Sequence, residues 1–587
     1  MPNTENKQTN YPYPFEVRDN CLYMTSHTQR GNNTVKICNF VPSIVSEKTV
    51  DDGATVEKSL VLTGTHADGS ILPTVEVSGS DLSTFNWLLD KWGAKCIIEV
   101  GQNRKEYLRY YIQTTAEEAE QLTEYRVTGW KKVSGEWFYL LPGDDKLDVK
   151  LRGKLEHYSK GTEWNHNIIR ELQTLYLAPP APKTVILPLL AFTFLTPLNE
   201  FLRRAGCMPK FILFLSGRTG TRKSTLAALF LSFFGRFTSS DLPMSFRDTA
   251  NSILLNAFTL KDVLTCIDDY YPADSAEAKK LGATAQSVLR AYGDRSGRAR
   301  LRADSTLMES RPPQGNAIVT GEISPNVGES GTARYFTLEL KENDVDLNML
   351  TAYQEDAADG IFQNSMLAYT EWLKRRFLKD DDHTDRFIAR LKELFFEYRK
   401  HFTDKNNTYH GRLNETAALL MLGMYFFLLF LKENSIIQQE DMEKESEKFS
   451  EMLIVLMNAH SESVRADIPT HIFVRKLYSL IDGGKVIITE RSRPENFDPY
   501  PPGYIGCQDD EYYYLNKDLA HSAVKKLCAD QGESFPVSAK ALVKALAEEG
   551  LIKTTSTGNT VSIRYCGKNM RFIALEKSKA EAVVGSE

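Results

Sequence analysis

The chain has 587 residues, 42% hydrophobic and 25% charged, with a formal net charge of −6 at pH 7. That is the profile of an ordinary soluble globular protein, long enough for several domains and more than one sizeable core. It excludes an overall polycation, so any contact with nucleic acid has to come from a local basic surface.

The eight cysteines stand at positions 21, 38, 96, 207, 266, 507, 528 and 566. None form a CxxC pair and none share zinc spacing with histidines, so reduced thiols in a cytoplasmic protein are expected. The polar, proline-bearing N-terminus lacks the apolar stretch of a signal peptide. The most apolar run, residues 417–431, is short for a bilayer and is followed by Lys432 and Glu433, so it reads as a buried helix with no membrane partner.

In chain order, residues 1–14 read as disordered and 15–150 as a strand-rich α+β domain. Residues 35–40 alternate in polarity, and 59–64 and 95–100 read as buried strands. Residues 81–92 have helical spacing with Asp81 as the cap. Trp130 and Trp137 flank Gly135 in an expected hairpin. No catalytic constellation falls in this domain. Residues 151–184 form a linker ending in the proline-rich 178–182, with Pro188 continuing the punctuation. A phosphate-loop core is expected over 185–350 and a helical region or lid over 351–465. Residues 466–503 form a connecting segment that includes a linker at 491–503. Over 504–577 come a helix at 516–530, a second at 538–549 stopped by Gly550, and a hairpin of 561–565 with 570–575. That order suits a winged helix. Residues 578–587 read as a flexible tail, and no repeat of 20 to 50 residues is visible.

The strongest signal starts at the apolar strand of residues 211–216. It runs into Gly217, Arg218, Thr219, Gly220, Thr221, Arg222, Lys223, Ser224 and Thr225, and then into an apolar helix. Backbone N–H groups of such a loop cradle phosphates, and the helix N-terminus adds its positive dipole end. Lys223 is placed to reach the β- and γ-phosphates of ATP, and Ser224 to put its hydroxyl on Mg²⁺. Arg222 departs from the G-x-x-x-x-G-K-[ST] pattern, which wants glycine there, and is tolerated if its side chain points outward. A second apolar strand, 263–267, ends in Asp268 and Asp269. Asp268 is assigned to the Mg²⁺ shell and Asp269 to polarising the attacking water; the plainer alternative is a strand-ending turn. A third strand, 316–319, ends at Thr320, the first choice for sensing the γ-phosphate, with Glu322 the second.

Arg334 stands just before a further apolar strand, where a ring-shaped ATPase carries an arginine for its neighbour's γ-phosphate; a surface salt bridge is the alternative. Arg412, at the head of the apolar helix, is a candidate lid-borne phosphate sensor. About 50 residues separate Asp269 from Thr320. They read as a helix, 275–292, followed by Arg295, Arg298, Arg300 and Arg302. The last three alternate and would share one face of a strand aimed at DNA phosphates. A charge-protected edge strand and a subunit contact are the alternatives. Basic residues of the C-terminal segment are mixed with acids and do not decide between DNA and protein.

Lys223, Asp268-Asp269, an arginine-rich hairpin, Thr320 and Arg334 followed by an aromatic, in that order, resemble an AAA+ ATPase. The hairpin's place before the third strand is similar to the helicase branch that holds MCM proteins and superfamily 3 viral helicases. The wider layout, with Thr128-Gly129-Trp130 ahead of the ATPase, resembles MCM-like helicases and replication initiators of mobile elements, as in staphylococcal cassette chromosomes and pathogenicity islands. The resemblance is loose over most of the chain and more specific over 205–340. It implies a multidomain α/β and α+β protein: a β-rich N-terminal domain, an AAA+ core with helical lid, and a C-terminal winged helix. It also implies a homohexamer using ATP and Mg²⁺, translocating on single-stranded or forked DNA with replication accessory proteins. Arg222 and Asp269 depart from the commonest pattern, which bears on hydrolysis rate. Two other classes are weighed: a protein remodeller, for which Tyr270-Tyr271 is the pore-loop candidate, and a nucleotide-gated scaffold with little turnover, favoured by Arg222.

Overall fold

The computed structural model describes residues 12–28, 31–272, 275–297, 310–325, 329–405, 411–466, 468–492, 498, 500–531, 535, 537–555 and 558–585. The chain divides into two compact units, residues 1–128 with 139–156 and residues 129–138 with 157–587.

In the first unit Phe15–Arg18, Cys21–Thr28 and Gly31–Cys38 form a three-stranded antiparallel sheet. Five strands form a mixed sheet in the order Asp148–Val149, Glu120–Tyr125, Phe40–Asp51, Val56–His66, Ile71–Ser78. Its core gathers Leu22, Ile37, Leu62, Val77, Trp92 and Leu108. Two expectations change here. The 81–92 helix is two short ones, Gly79–Thr84 and Trp87–Lys91. Ser78 caps the first by accepting from Asp81 N, so Asp81 sits in the first turn instead of at the cap. Residues 95–100 make only an isolated bridge, Cys38 with Ile98. Val100 is fully exposed, and the side chain of Asn39 takes the Ile97 N–H at 2.7 Å in place of a continuous ladder.

The second unit holds a five-stranded parallel sheet: β1 (Ile212–Ser216), β2 (Met244–Ser245), β3 (Leu264–Tyr270), β4 (Asn316–Gly321) and β5 (Tyr335–Glu339). Their order across the sheet is β2-β3-β4-β1-β5. A sheet covered on both faces needs strands apolar on both faces, and β4 is buried at every residue. Among its helices are α1 (Lys183–Leu195), α2 (Lys223–Leu231), α3 (Ser275–Asp294), α4 (Gly411–Glu433) and α5 (Gln439–Ala466).

Pro188 lies inside α1 and punctuates nothing. Residues Val185 to Leu195 are all buried, so packing on every side outweighs the roughly 3 kcal/mol that an interior proline costs. The apolar run at 417–431 belongs to the 23-residue α4, longer than the run itself suggested. Two helical stretches, Lys183–Arg204 and Gly411–Glu433, are long and apolar enough to cross a membrane, and both are largely buried inside the protein. α4 packs on α1 backbone to backbone: a Cβ at Gly423 would lie 2.0 Å from Ala191 O.

The hairpin expected around Gly135 is present as Gly129–Val133 and Glu136–Leu140. Trp130 Nε1 donates to Pro197 O at 2.8 Å. Near the C-terminus the helices Lys517–Asp530 and Ala539–Glu548 and the strands Val561–Tyr565 and Lys568–Glu576 stand where the pattern put them. Three unforeseen strands, Ile487–Glu490, Tyr504–Gln508 and Tyr512–Leu515, complete a five-stranded sheet with that hairpin. The 491–503 linker therefore joins two strands that pair in parallel.

Candidate nucleotide site

β1 runs into the loop at Gly217, and α2 begins at Lys223. Glycine is obligatory at 217, where a Cβ would stand 2.5 Å from Leu340 O and 2.7 Å from Thr221 Oγ1. Gly220 has φ 89°, a left-handed conformation glycine adopts without strain. Thr221 Oγ1 donates back to Arg218 O at 2.8 Å and closes the turn. Arg222 occupies the glycine position with φ 67° and ψ 24°, so its backbone adopts the left-handed geometry that position demands. Its side chain is exposed, as an outward residue requires.

Lys223 Nζ donates to Gly217 O at 2.7 Å and Arg218 O at 2.9 Å, so the ammonium spans the mouth of the loop. Burial lowers its pKa from the ordinary lysine value, against the nearby Glu322, Asp268 and Asp269 carboxylates, which raise it. The tips of three elements then meet on one oxygen. Ser224 Oγ from α2 donates to Asp268 Oδ1 at 2.7 Å, and Thr320 Oγ1 from β4 donates to the same atom at 2.6 Å. Thr320 Oγ1 also accepts from Asp269 N at 3.0 Å.

The pairing of β3 with β4 slips between Ile267 and Tyr270, a bulge that contains both aspartates. Asp269 has φ 64°, and its side chain is half exposed, 3.7 Å from Arg247. The bulge thus re-aims two consecutive carboxylates, one onto Ser224 and Thr320 and the other toward solvent. Thr219 Oγ1 donates to Glu322 Oε1 across the opening. A cleft of about 360 Å³ lies among Lys223, Ser224, Asp269, Thr320 and Glu322. The oxygen pair Ser224 Oγ and Asp268 Oδ1 is the hard donor set that suits Mg²⁺.

The loop 217–225, Asp268, Asp269 and Thr320 are thus brought together; the arginines are not. Arg334 O accepts from Ile212 N at 3.1 Å, so Arg334 lies where β1 and β5 enter the sheet. The loop is at the other end of β1, about 16 Å away for five strand residues. Arg334 is 9% exposed and its Nη2 donates to both oxygens of Asp294, at 3.1 and 3.2 Å. Arg412 Nη2 reaches Asp294 Oδ1 at 3.4 Å.

Arg295 is a correction to the basic row. Its guanidinium donates to Pro209 O at 2.5 Å, Pro313 O at 3.1 Å, Gly315 O at 2.7 Å and Asn316 Oδ1 at 3.1 Å. Burial pushes its pKa down to about 10. A group so enclosed anchors its own chain and is not displayed to DNA. Arg298, Arg300 and Arg302 lie outside the described residues. Sequence reasoning missed Arg247 and Asp294, neither of which stands in a recognisable pattern.

No protein-family profile and no curated protein sequence matches the chain. Among solved structures it is similar to one described as SCCmec type IV Cch, active helicase, with TM-score 0.58 and 14% identity, over 97% of this chain and 99% of that one. The JCV helicase aligns with 41% of this chain and 70% of its own at 16% identity and TM-score 0.21. The apo C-terminal region of NrS-1 aligns with 70% and 90% at 9% identity and TM-score 0.21. The likeness read from the sequence to helicases of staphylococcal cassette chromosomes thus reappears in the fold: the chain is a mixed α/β multidomain protein with the fold of the Cch helicase along nearly its whole length.

Proposed function

We propose that this chain is an ATP-dependent DNA helicase, a ring-shaped motor that serves the replication of a mobile element. One observation carries the reading: Ser224 and Thr320, from different elements, converge on the Asp268 carboxylate beside the Lys223 ammonium. The loop 217–222 and the α2 N-terminus would hold the phosphates of ATP, with Lys223 exchanging its two loop carbonyls for phosphate oxygens. Ser224 and Asp268 would hold Mg²⁺, which supplies charge neutralisation on the β- and γ-phosphates. Thr320 fixes Asp268 and the Asp269 backbone in one hydrogen-bonded unit. Asp269, half exposed at the edge of the cleft, would orient and deprotonate the attacking water. The strand order β2-β3-β4-β1-β5 fits an AAA+ core, with the helices after β5 as its lid and the C-terminal helices and sheet as an elaborated winged helix. Arg298, Arg300 and Arg302 are proposed to contact the DNA backbone, and a homohexamer to enclose it. The fold shared with the Cch helicase supports the reading.

The test is ATP hydrolysis by the full chain with and without single-stranded DNA, beside Lys223→Ala. DNA-stimulated hydrolysis abolished by the substitution is expected. Hydrolysis indifferent to DNA would favour a protein remodeller, yet Tyr270, half of the pore-loop candidate, is buried against Phe246 with ring centroids 5.1 Å apart. Arg222 in the glycine position is the feature that favours a nucleotide-gated scaffold, and ATP binding without turnover would establish it.

A further inference from the structure

A cavity of about 180 Å³ opens between the helix Asp381–Lys405, α4 and the segment that leads into β1. Helical spacing puts Phe395, Phe396 and Arg399 on one side of it and Arg412, Glu415 and Leu419 on the other. Its inner walls are apolar: Cys207, Phe211, Phe395 and Leu419 are all buried. Phe396 also lines it, yet is 47% exposed, a large ring with one side in water. The rim is basic. Lys210, Arg399 and Arg412 stand there against one carboxylate among the described lining residues, Glu415, which Arg399 meets at 3.2 Å. Lys392 adds to them. Burial raises the pKa of the Cys207 thiol inside the cavity, while Lys392, Lys210 and Arg399 pull it down against Glu415. Lys210 and Lys392 pair with no carboxylate among the described residues, so their charge is open to an incoming anion.

A cavity of about 150 Å³ accommodates a benzene ring, so this one takes a single phenyl or branched aliphatic side chain and little more. A nucleobase has the size, but its edge carries donors and acceptors at most positions. The inner walls answer these with only the Cys207 thiol and the Thr416 hydroxyl, and every polar group left unpaired weakens binding. A phenyl ring leaves none unpaired. The chain as a whole carries −6, so the basic rim runs against its average and selects an acidic partner. We propose that this cavity docks an acidic segment of a partner protein, which inserts one large apolar side chain between Phe396 and Leu419 while its carboxylates meet Lys210, Lys392 and Arg399. The site lies before β1 and the nucleotide cleft after it, so the docking does not depend on the cleft reading.

The test titrates the full chain into a fluorescein-labelled peptide of aspartates flanking one phenylalanine and reads fluorescence anisotropy. Saturable binding is expected, at least about tenfold weaker when alanine replaces the phenylalanine of the peptide. In the protein, Phe396→Ala removes an exposed wall, and Lys210→Glu with Lys392→Glu reverses two exposed charges. Each should weaken binding about five- to tenfold with the melting temperature unchanged. Equal binding of the alanine peptide would mean that charge alone is read and that no side chain enters the cavity, which overturns the proposal. No saturable binding up to about 1 mM overturns it as well. Single-stranded DNA that displaces the peptide, and whose own binding falls in parallel in the Phe396→Ala chain, would assign the face to nucleic acid instead. Oligomers that dissociate on Phe396→Ala in sedimentation velocity would assign it to a second copy of the chain, and either result sinks the acidic partner.

Discussion

Replacing Thr320 with valine probes the one side chain that joins both aspartates. Thr320 is 1% exposed, and valine matches its shape, so the sheet should assemble without a cavity. What disappears is a donor to Asp268 Oδ1 at 2.6 Å and an acceptor for Asp269 N at 3.0 Å. A hydrogen bond to a charged group contributes about 1.5–3 kcal/mol, and an N–H left unsatisfied costs about 1–3 kcal/mol. Asp269 already has φ 64°, so without its acceptor the bulge has less to hold it. At about 1.4 kcal/mol per decade, the lower ends of both ranges together predict a fall in kcat of about 50- to 100-fold. KM for ATP should move little, because the loop and Lys223 are untouched. Thr320→Ser restores the hydroxyl and should recover most of the rate. Steady-state hydrolysis with saturating Mg²⁺ reads both constants. A valine variant with parental kcat, or one whose loss lies wholly in KM, would refute the role assigned to this network.

Three further outcomes follow from the same geometry. Arg222→Gly relieves a left-handed residue, worth about 1–2 kcal/mol, against about 0.4–1 kcal/mol of added unfolded-state entropy; denaturant melts should show a gain of up to about 1.6 kcal/mol, and Arg222→Ala no gain. Arg295→Ala strands buried carbonyls and should destabilise by about 3 kcal/mol in melts, while single-stranded DNA binding by the folded protein stays unchanged in fluorescence anisotropy. His460 is 3% exposed against the Tyr335 and Phe336 rings, and burial pushes its pKa down to about 4 from 6.5. The folded state then refuses a proton that the unfolded chain accepts, so stability is full above pH 6.5 and is lost as pH falls toward 4. The loss is about 2 kcal/mol at pH 5, and His460→Leu should flatten that slope.

What was legible in the sequence is what local chemistry dictates. A strand buried on both faces must be a continuous apolar run, so β1, β3 and β4 announce themselves. A loop that wraps phosphates needs glycine at the positions where a Cβ collides or φ turns positive, so Gly217 and Gly220 do too. The same reasoning fails where an apolar run has no partner strand. Residues 95–100 have the composition of a buried strand, yet the side chain of Asn39 takes a backbone N–H that a ladder would have used. Pro188 fails for the opposite reason, since burial around all of α1 overrides a local penalty. The three extra C-terminal strands are four or five residues each, at the lower limit of length over which alternation argues for a strand.

The arginines show the limit most clearly, because residue type is local but destination is tertiary. Arg295, Arg334 and Arg412 looked alike as cations awaiting phosphate. Their fates divide on what the fold places around each. Arg295 meets the backbone carbonyls at the entry edge of the sheet and becomes an anchor. Arg334 and Arg412 meet the carboxylate that this anchor positions. Asp294 and Arg295 are adjacent in sequence, so the residue that immobilises the end of α3 also fixes the carboxylate between the two arginines. Any displacement of the end of α3 would therefore carry Asp294 with it and reach both arginines with little slack.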